Sequence, residues 1–418
     1  MVASNKTLNA TGYMYVGTCT LEDCHIDLSK LCHFGGARLI IAEVIGINTT
    51  TKEILCADGR PAIRYDVLVL NLGISPKLIS LPSSISENVT PVKPISSFAS
   101  RWDAKIEQMI NNVVSSSLTQ VSSSEPKCIV IVGGGAGGTE LSFAIDYRLK
   151  RELAQCRKDK REIKFQVVLI TRGTTILSEH CAAVQQKALH LMAEKGIRVI
   201  FNAESVSIHE KENELDNRYI LCKSGMKIPF DEVIWCTQAE APSWLKDTAL
   251  ELIDGFVAVK ATLQSVNNPE IFAVGDVCHL IDSPRPKAGV FAVRAGPPLL
   301  ENIRRLLWNQ PLTEWTPQTQ FLSIIGVAPD NAIGSKGPVC IEGNYVWKLK
   351  DKIDRNWMDS YKKLSSTMFN SANPAIIPSQ QTVSPVRSTT AAAPNEVDYS
   401  VTQLTADAAE ILSQQAMR

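Results

Sequence analysis

Cys128-Ile129-Val130-Ile131-Val132 running into Gly133-Gly134-Gly135-Ala136-Gly137-Gly138 decides the fold class. Five apolar residues, four of them β-branched, predict a short strand. The glycines predict a tight turn, and the run from Thr139 onward predicts a helix. Gly133, Gly135 and Gly138 satisfy G-x-G-x-x-G in the strand–turn–helix context that gives the motif its meaning. Such a turn lets the backbone approach a pyrophosphate, and the helix start offers it unpaired N–H groups and the positive end of a dipole. A nucleotide cofactor is the leading expectation.

Outward from this stretch, strands and helices alternate. FQVVLI at 165–170, a helix over 183–195, IRVIF at 197–201 and EVIWC at 232–236 predict a mainly parallel sheet covered by helices, an α/β fold. Upstream, Ala37 to Ile47, Glu53 to Ala57 and Tyr65 to Leu72 read as strands, with a turn at Asp58-Gly59, and 98–113 reads as a helix. Downstream, Phe256 to Val259 and Ile271 to Val274 read as strands. A helix follows Pro297 to about Trp308. Residues 318–347 predict a small antiparallel unit, followed by a helix over Trp347 to Lys363. Ser115 to Pro126 is a Ser-rich linker, and the Ser/Thr/Ala/Pro tail from about Ser371 predicts a disordered linker with a short helix over Thr405 to Gln415.

Composition narrows the classes. The chain has 418 residues, 44% of them hydrophobic, with 43 basic and 43 acidic side chains. A formal net charge of zero gives no general pull toward nucleic acid or acidic membranes. The basic run at 148–164, eight Lys/Arg against three Asp/Glu, reads as a solvated helix end. No apolar run reaches the ~18 residues of a membrane span. Eleven cysteines lack a C-x-x-C pair and any Cys/His spacing suited to zinc, and an odd count in apolar runs fits reduced thiols. The expected compartment is cytoplasmic.

The second motif is Ile271-Phe272-Ala273-Val274-Gly275-Asp276, a strand ending in Gly-Asp about 140 residues after the first. A G-x-G-x-x-G strand followed at this distance by TLQS and IFAVGD resembles the two-dinucleotide-binding-domain flavoproteins, the FAD/NAD(P)-binding pyridine nucleotide-disulfide oxidoreductase superfamily. YDVLVLNLG and DEVIWCTQA are similar to its two strand-to-crossover segments. CHIDLSKLCHFGGARLI, PRPKAGVFAVRAGPPLLENIRR and WKLKDKIDRNWM resemble a branch related to type II NADH dehydrogenases, often fused ahead of selenophosphate synthetase.

The resemblance implies a Rossmann-like, three-layer architecture. It divides the chain into the remainder of an FAD-binding domain (1–114), the linker (115–127) and an NAD(P)-binding domain (128–256). A returning FAD segment (257–310), a small C-terminal subdomain (311–370) and the tail (371–418) follow. It places Gly275 and Asp276 on FAD, with Lys287, Ala288, Gly289 and Val290 beside the flavin ring. Gly133, Gly135 and Gly138 go on the NAD(P)H pyrophosphate, and Glu140 near the nicotinamide. The implied activity is hydride transfer from NAD(P)H to FAD and on to a small-molecule or protein acceptor. The flavin carries that chemistry, so no catalytic side chain is expected. A selenophosphate synthetase domain is an implied partner in full-length relatives, and a homodimer stays open.

Three departures from the family pattern matter. The resemblance begins after the family's first βαβ unit, so an N-terminally incomplete FAD domain is expected. The strand FQVVLI ends in Thr171-Arg172 rather than an acidic residue, which favours a 2′-phosphate and so NADPH. Gln238 stands where a glycine is usual. Two other readings remain open here: a non-catalytic dinucleotide-binding or docking module, and a thiol-disulfide reductase using the C-x-x-x-x-C pair Cys19/Cys24.

Overall fold

The computed structural model describes residues 1–3, 7–9, 25–76, 89–92, 101–108, 126–156, 165–209, 218–237 and 239–368. The readings on Cys19/Cys24, Gln238, most of the Ser-rich segment and the tail lie outside them.

Lys127–Val132 is the middle strand of a five-stranded parallel sheet. The order is Val89–Pro91, Glu232–Trp235, Lys127–Val132, Phe165–Ile170 and Arg198–Ile200. Ile129, Val130 and Ile131 are fully buried, as a near-continuous apolar run in a covered parallel strand requires. Each such side chain contributes about 1.5–3 kcal/mol of burial. Alternation along the strand sends them to two different cores. Ile129 and Ile131 pack with Trp102, Leu141, Phe143, Val184 and Met192 of the helices 101–108, Ala136–Cys156 and Ala182–Lys195. Val130 and Val132 pack with Ile208, Ile220, Ile228 and Phe230.

Helices cover the first face, as the sequence suggests, and strands cover the second face. These strands form an antiparallel meander, Ser205–His209, Tyr219–Cys222 and Lys227–Pro229. The cause is a period of two in this segment: Ile208, Ile220, Cys222, Ile228 and Phe230 are buried while their immediate neighbours are more exposed, which suits strands and not a helix. The three layers are therefore helices, parallel sheet and meander.

A second core lies under Leu68–Leu70 and Ile271–Ala273, paired in parallel, together with the antiparallel Val44–Asn48, Glu53–Cys56 and Ile63–Arg64. Asp58 and Gly59 both adopt positive φ (60° and 64°), as the Asp-Gly turn reading requires. Phe256–Val259, flanked by Leu252–Ile253 and Cys278–Leu280, completes this unit with the helices Gly289–Arg294 and Gly296–Leu307. The expected C-terminal antiparallel unit is present as Ser323–Val327, Asn331–Lys336 and Val339–Gly343, followed by the helix Asn344–Met368. Ile325, Val327 and Ile333 join the core under the Ala136–Cys156 helix, so this sheet is packed onto the parallel-sheet unit.

Candidate active site

The glycine turn is built from two kinds of glycine. Gly133 has φ +129°, and a Cβ there would lie 3.1 Å from the Cys236 carbonyl. A Cβ on Gly134 would meet Thr171 at 2.7 Å, and one on Gly138 would fall 1.9 Å from the Gly133 oxygen. These three are fixed by packing of strand, turn and helix. Gly135 and Gly137 face open space, with nothing within 4 Å of an added Cβ. The turn thus has a closed side and an open, solvent-exposed side. The helix begins at Ala136, one turn earlier than the sequence suggests, because Thr139 N–H already donates to Gly135 O at 3.0 Å. The N–H groups of its first turn have no intrahelical acceptor and lie at that open side. A pyrophosphate fits this cradle.

Arg172 lies just past Phe165–Ile170, the strand neighbouring Lys127–Val132. It is exposed, while Thr171 beside it is buried against Gly134. Parallel pairing puts Arg172 and the glycine turn on the same carboxyl edge of the sheet, where open α/β sheets take their ligands.

Glu140 has an additional structural setting. Its Oε1 accepts the Gly326 N–H at 3.1 Å and lies 3.9 Å from Lys350 Nζ. Burial pushes its carboxyl upward, with the Lys350 charge pulling part of that back. The carboxylate is thus shared between the glycine-turn helix, the C-terminal sheet and the last helix.

On the second edge, Gly275 follows Ile271–Ala273 with φ +70°, and Asp276 sits in the short helical turn Gly275–Val277. Asn71, at the end of the paired strand, crowds Gly275: an added Cβ would lie 2.7 Å from Asn71 Oδ1. Lys287 reaches back to the same turn, donating to Cys278 O at 2.5 Å with its ammonium 3.9 Å from the Phe256 ring centre. Burial lowers the Lys287 pKa, while the Asp276 charge opposes that shift. Ala288 precedes the helix that opens with Gly289 and Val290. Gly275, Asp276, Lys287 and Ala288 line one cleft, with Arg285 and Phe291, of about 30 Å³. That is room on the scale of one water. The cleft presents the polar side chains of Asp276, Arg285 and Lys287.

The two edges are tied together. Gly133 packs on Cys236 and Thr237, and the chain then enters Ala239–Glu240. This crossover pairs antiparallel with Ser75–Pro76, which follows Asn71 and so leads back to Gly275. Two residues, one inter-strand step, five residues and one packing contact at each end connect the edges, a path of about 40 Å at most. Thiols at these edges are held neutral: burial pushes Cys236 up to about 12 and Cys278 up to about 11. Among the described residues no cluster of three His, Cys, Asp or Glu side chains could hold a metal, and no helix is long and apolar enough to cross a membrane.

Residues 25–296, which contain both edges and the crossover, match the sequence profile of the pyridine nucleotide-disulphide oxidoreductases. The chain belongs to the pyridine nucleotide-disulphide oxidoreductase family. FAD and NAD(P)H are the cofactors of that family. One relative, the type II NADH:quinone oxidoreductase of Haemophilus influenzae, is 27% identical over 52% of this chain and 50% of its own length. Another, the NADH dehydrogenase-like protein YutJ of Bacillus subtilis, is 21% identical over 81% of this chain and 87% of its own. The chain spans about half the length of the first two curated relatives it matches. The NDH2 structure from Plasmodium falciparum in complex with NADH shares the fold of this family member, with TM-score 0.70 at 12% identity, covering 90% of this chain and 94% of that one.

Asn71 and Gly326 escape a reading of the sequence, as does the packing of Thr171 on Gly134. Asn71 lies inside the quoted YDVLVLNLG segment, but its contact with Gly275 joins residues about 200 positions apart. Gly326 offers no local signal, being one small residue in an ordinary strand.

Proposed function

We propose that the chain is an FAD-dependent NAD(P)H:acceptor oxidoreductase of the NADH dehydrogenase-like kind. The dinucleotide lies on the Gly133, Gly135 and Gly138 edge and the flavin on the Gly275–Asp276 edge. Residues 128–256 form the NAD(P)-binding domain, and 1–114 with 257–310 the FAD-binding part. Residues 311–370 are a small subdomain docked on the former.

The observation that carries the proposal is the Ala239–Glu240 to Ser75–Pro76 crossover, which holds the two cofactor edges within reach of each other. When bound, FAD supplies the hydride-accepting chemistry and hands the electrons to the acceptor. The protein's share is positional. The open face at Gly135 and Gly137 admits a pyrophosphate, and the first turn of the Ala136–Cys156 helix supplies donors to it. Arg172 meets a ribose 2′-phosphate, which favours NADPH over NADH. Asp276 accepts a hydrogen bond from a polyol hydroxyl. Lys287 and Ala288 border the ring, and Glu140 stands near the nicotinamide side. A quinone is the first acceptor class to test, since relatives carry NADH:quinone names.

The family match and the names of the relatives favour this over a docking module, and neutral thiols at both edges disfavour dithiol chemistry there. The test is oxidation of NADPH and of NADH by the full chain with added FAD and a water-soluble quinone. FAD-dependent oxidation, faster with NADPH, supports the proposal. No oxidation above the rate with FAD and quinone alone contradicts it.

A further inference from the structure

Away from the cofactor edges, the turn before the helix Ala182–Lys195 meets the C-terminal sheet along a seam of reactive side chains. His180 Nδ1 and Ser335 Oγ lie 2.9 Å apart. Cys181 is the N-cap residue of the helix, yet its side chain makes no capping bond. Its Sγ instead reaches Pro338 O at 3.6 Å. Ser335 is the direct cross-strand partner of Cys340 in the antiparallel ladder, so their side chains share one face of the sheet.

Glu342, two residues beyond Cys340 and therefore on that same face, pairs with Lys187 of the helix at 3.4 Å. The face that carries Cys340 is thus the one packed on the helix that begins at Cys181. Both thiols are half-buried, both are free, and both pack against the same apolar cluster. Burial pushes the Cys340 thiol up, and the nearby Cys181 adds to that shift.

We propose that Cys181 and Cys340 form a reversible disulfide that fastens the C-terminal sheet to the parallel-sheet unit. The exchange partner is a small-molecule disulfide. The thiolate form of Cys181 attacks one of its sulfurs, breaking that S–S bond and expelling one small thiolate. The resulting mixed disulfide is attacked at the Cys181 sulfur by deprotonated Cys340. The second small thiolate leaves as the protein S–S bond forms. Two protein thiols are oxidised, one small disulfide is reduced to two thiols, and the two protons end on those thiols.

The site has a route to the glycine turn. His180 N–H donates to Leu177 O at 2.8 Å, and Leu177 N–H donates to Gly134 O at 2.7 Å. Oxidation at Cys181 therefore stiffens a segment bonded directly to the dinucleotide cradle, so the thiol state is expected to alter NADPH affinity.

The experiment equilibrates the full chain with glutathione disulfide, alkylates the remaining thiols and maps peptides by mass spectrometry. A peptide joining Cys181 to Cys340 is expected, cleaved by dithiothreitol and absent from C181S and C340S. An oxidised wild type should melt roughly 5 °C above its reduced form, a shift lost in C340S. Recovery of both cysteines alkylated, of each carrying its own glutathione, or of either joined to another cysteine overturns the proposal. The mapping on wild-type protein reads this whether or not the variants fold.

Discussion

Glu140 Oε1 accepts a hydrogen bond from the Gly326 N–H at 3.1 Å across 186 residues of chain. The contact exists because Gly326 has no side chain: a Cβ there would lie 2.7 Å from the same oxygen. Lys350 stands 3.9 Å from that oxygen and 3.2 Å from Asp354, so a chain of charges runs from the glycine-turn helix into the last helix. A residue of the motif region is thereby part of the joint that docks the C-terminal sheet.

Gly326→Ala should therefore destabilise the protein by about 1–3 kcal/mol, because the new methyl displaces the carboxylate and leaves it buried without its donor. Thermal melting measures this. Glu140→Gln keeps an acceptor for Gly326 and should cost less. If Glu140 also meets the nicotinamide, Glu140→Gln should weaken NADPH binding well beyond its small effect on melting. An unchanged affinity would make the residue purely structural.

The glycines of the turn should separate by role. Gly138→Ala places a Cβ 1.9 Å from the Gly133 oxygen and should cost about 2 kcal/mol or more, or abolish folding. Gly135→Ala meets nothing within 4 Å and should melt like the wild type. It occupies the open face, though, and should weaken NADPH binding about tenfold, read by nucleotide fluorescence titration. Equal melting losses for both variants would contradict the assignment of Gly135 to the ligand.

Much of this division is legible in the sequence and some is not. The parallel strands announce themselves because apolar runs bounded by turn residues are local signals, and Cys128 to Val132, Phe165 to Ile170 and Glu232 to Trp235 are such runs. The meander over 205–229 is missed because its strands are only five, four and three residues long, too short for their alternation to stand out. The open and closed sides of the turn cannot be read from GGGAGG, since Cys236 and Thr171 decide them from other strands. Likewise Glu140 looks like an ordinary first-turn acid until the sheet at 323–327 is folded against it.

Glu232 predicts a pH effect on stability. It begins its strand buried, with Lys105 at 3.0 Å. Burial raises its carboxyl from 4.5 to about 7, against the pull of Lys105. A carboxyl whose folded pKa lies above its unfolded value contributes stability that is full below the unfolded value and lost as pH rises through the folded one. Between pH 4.5 and about 7 this residue should remove about 3 kcal/mol at most. Glu232→Gln should flatten that decline. Denaturant unfolding at pH 5 and pH 8 tests it, and parallel losses in both proteins would contradict it.

Arg172 is exposed, so its removal should leave melting unchanged. Arg172→Ala should nevertheless raise the NADPH dissociation constant about tenfold and leave NADH unaffected, as loss of one charge-assisted contact of about 1.4 kcal/mol would do. Isothermal titration with each nucleotide distinguishes this from an Arg172 that only meets solvent, for which both constants stay the same.

Whether the two cofactor edges work together is read by adding NADPH anaerobically to the full chain after incubation with FAD and desalting. A flavin absorbance band should survive desalting, bleach on NADPH, and be lost in Asp276→Ala. A colourless protein after desalting, or a retained flavin that neither NADPH nor NADH bleaches, would contradict a joint role of the two edges.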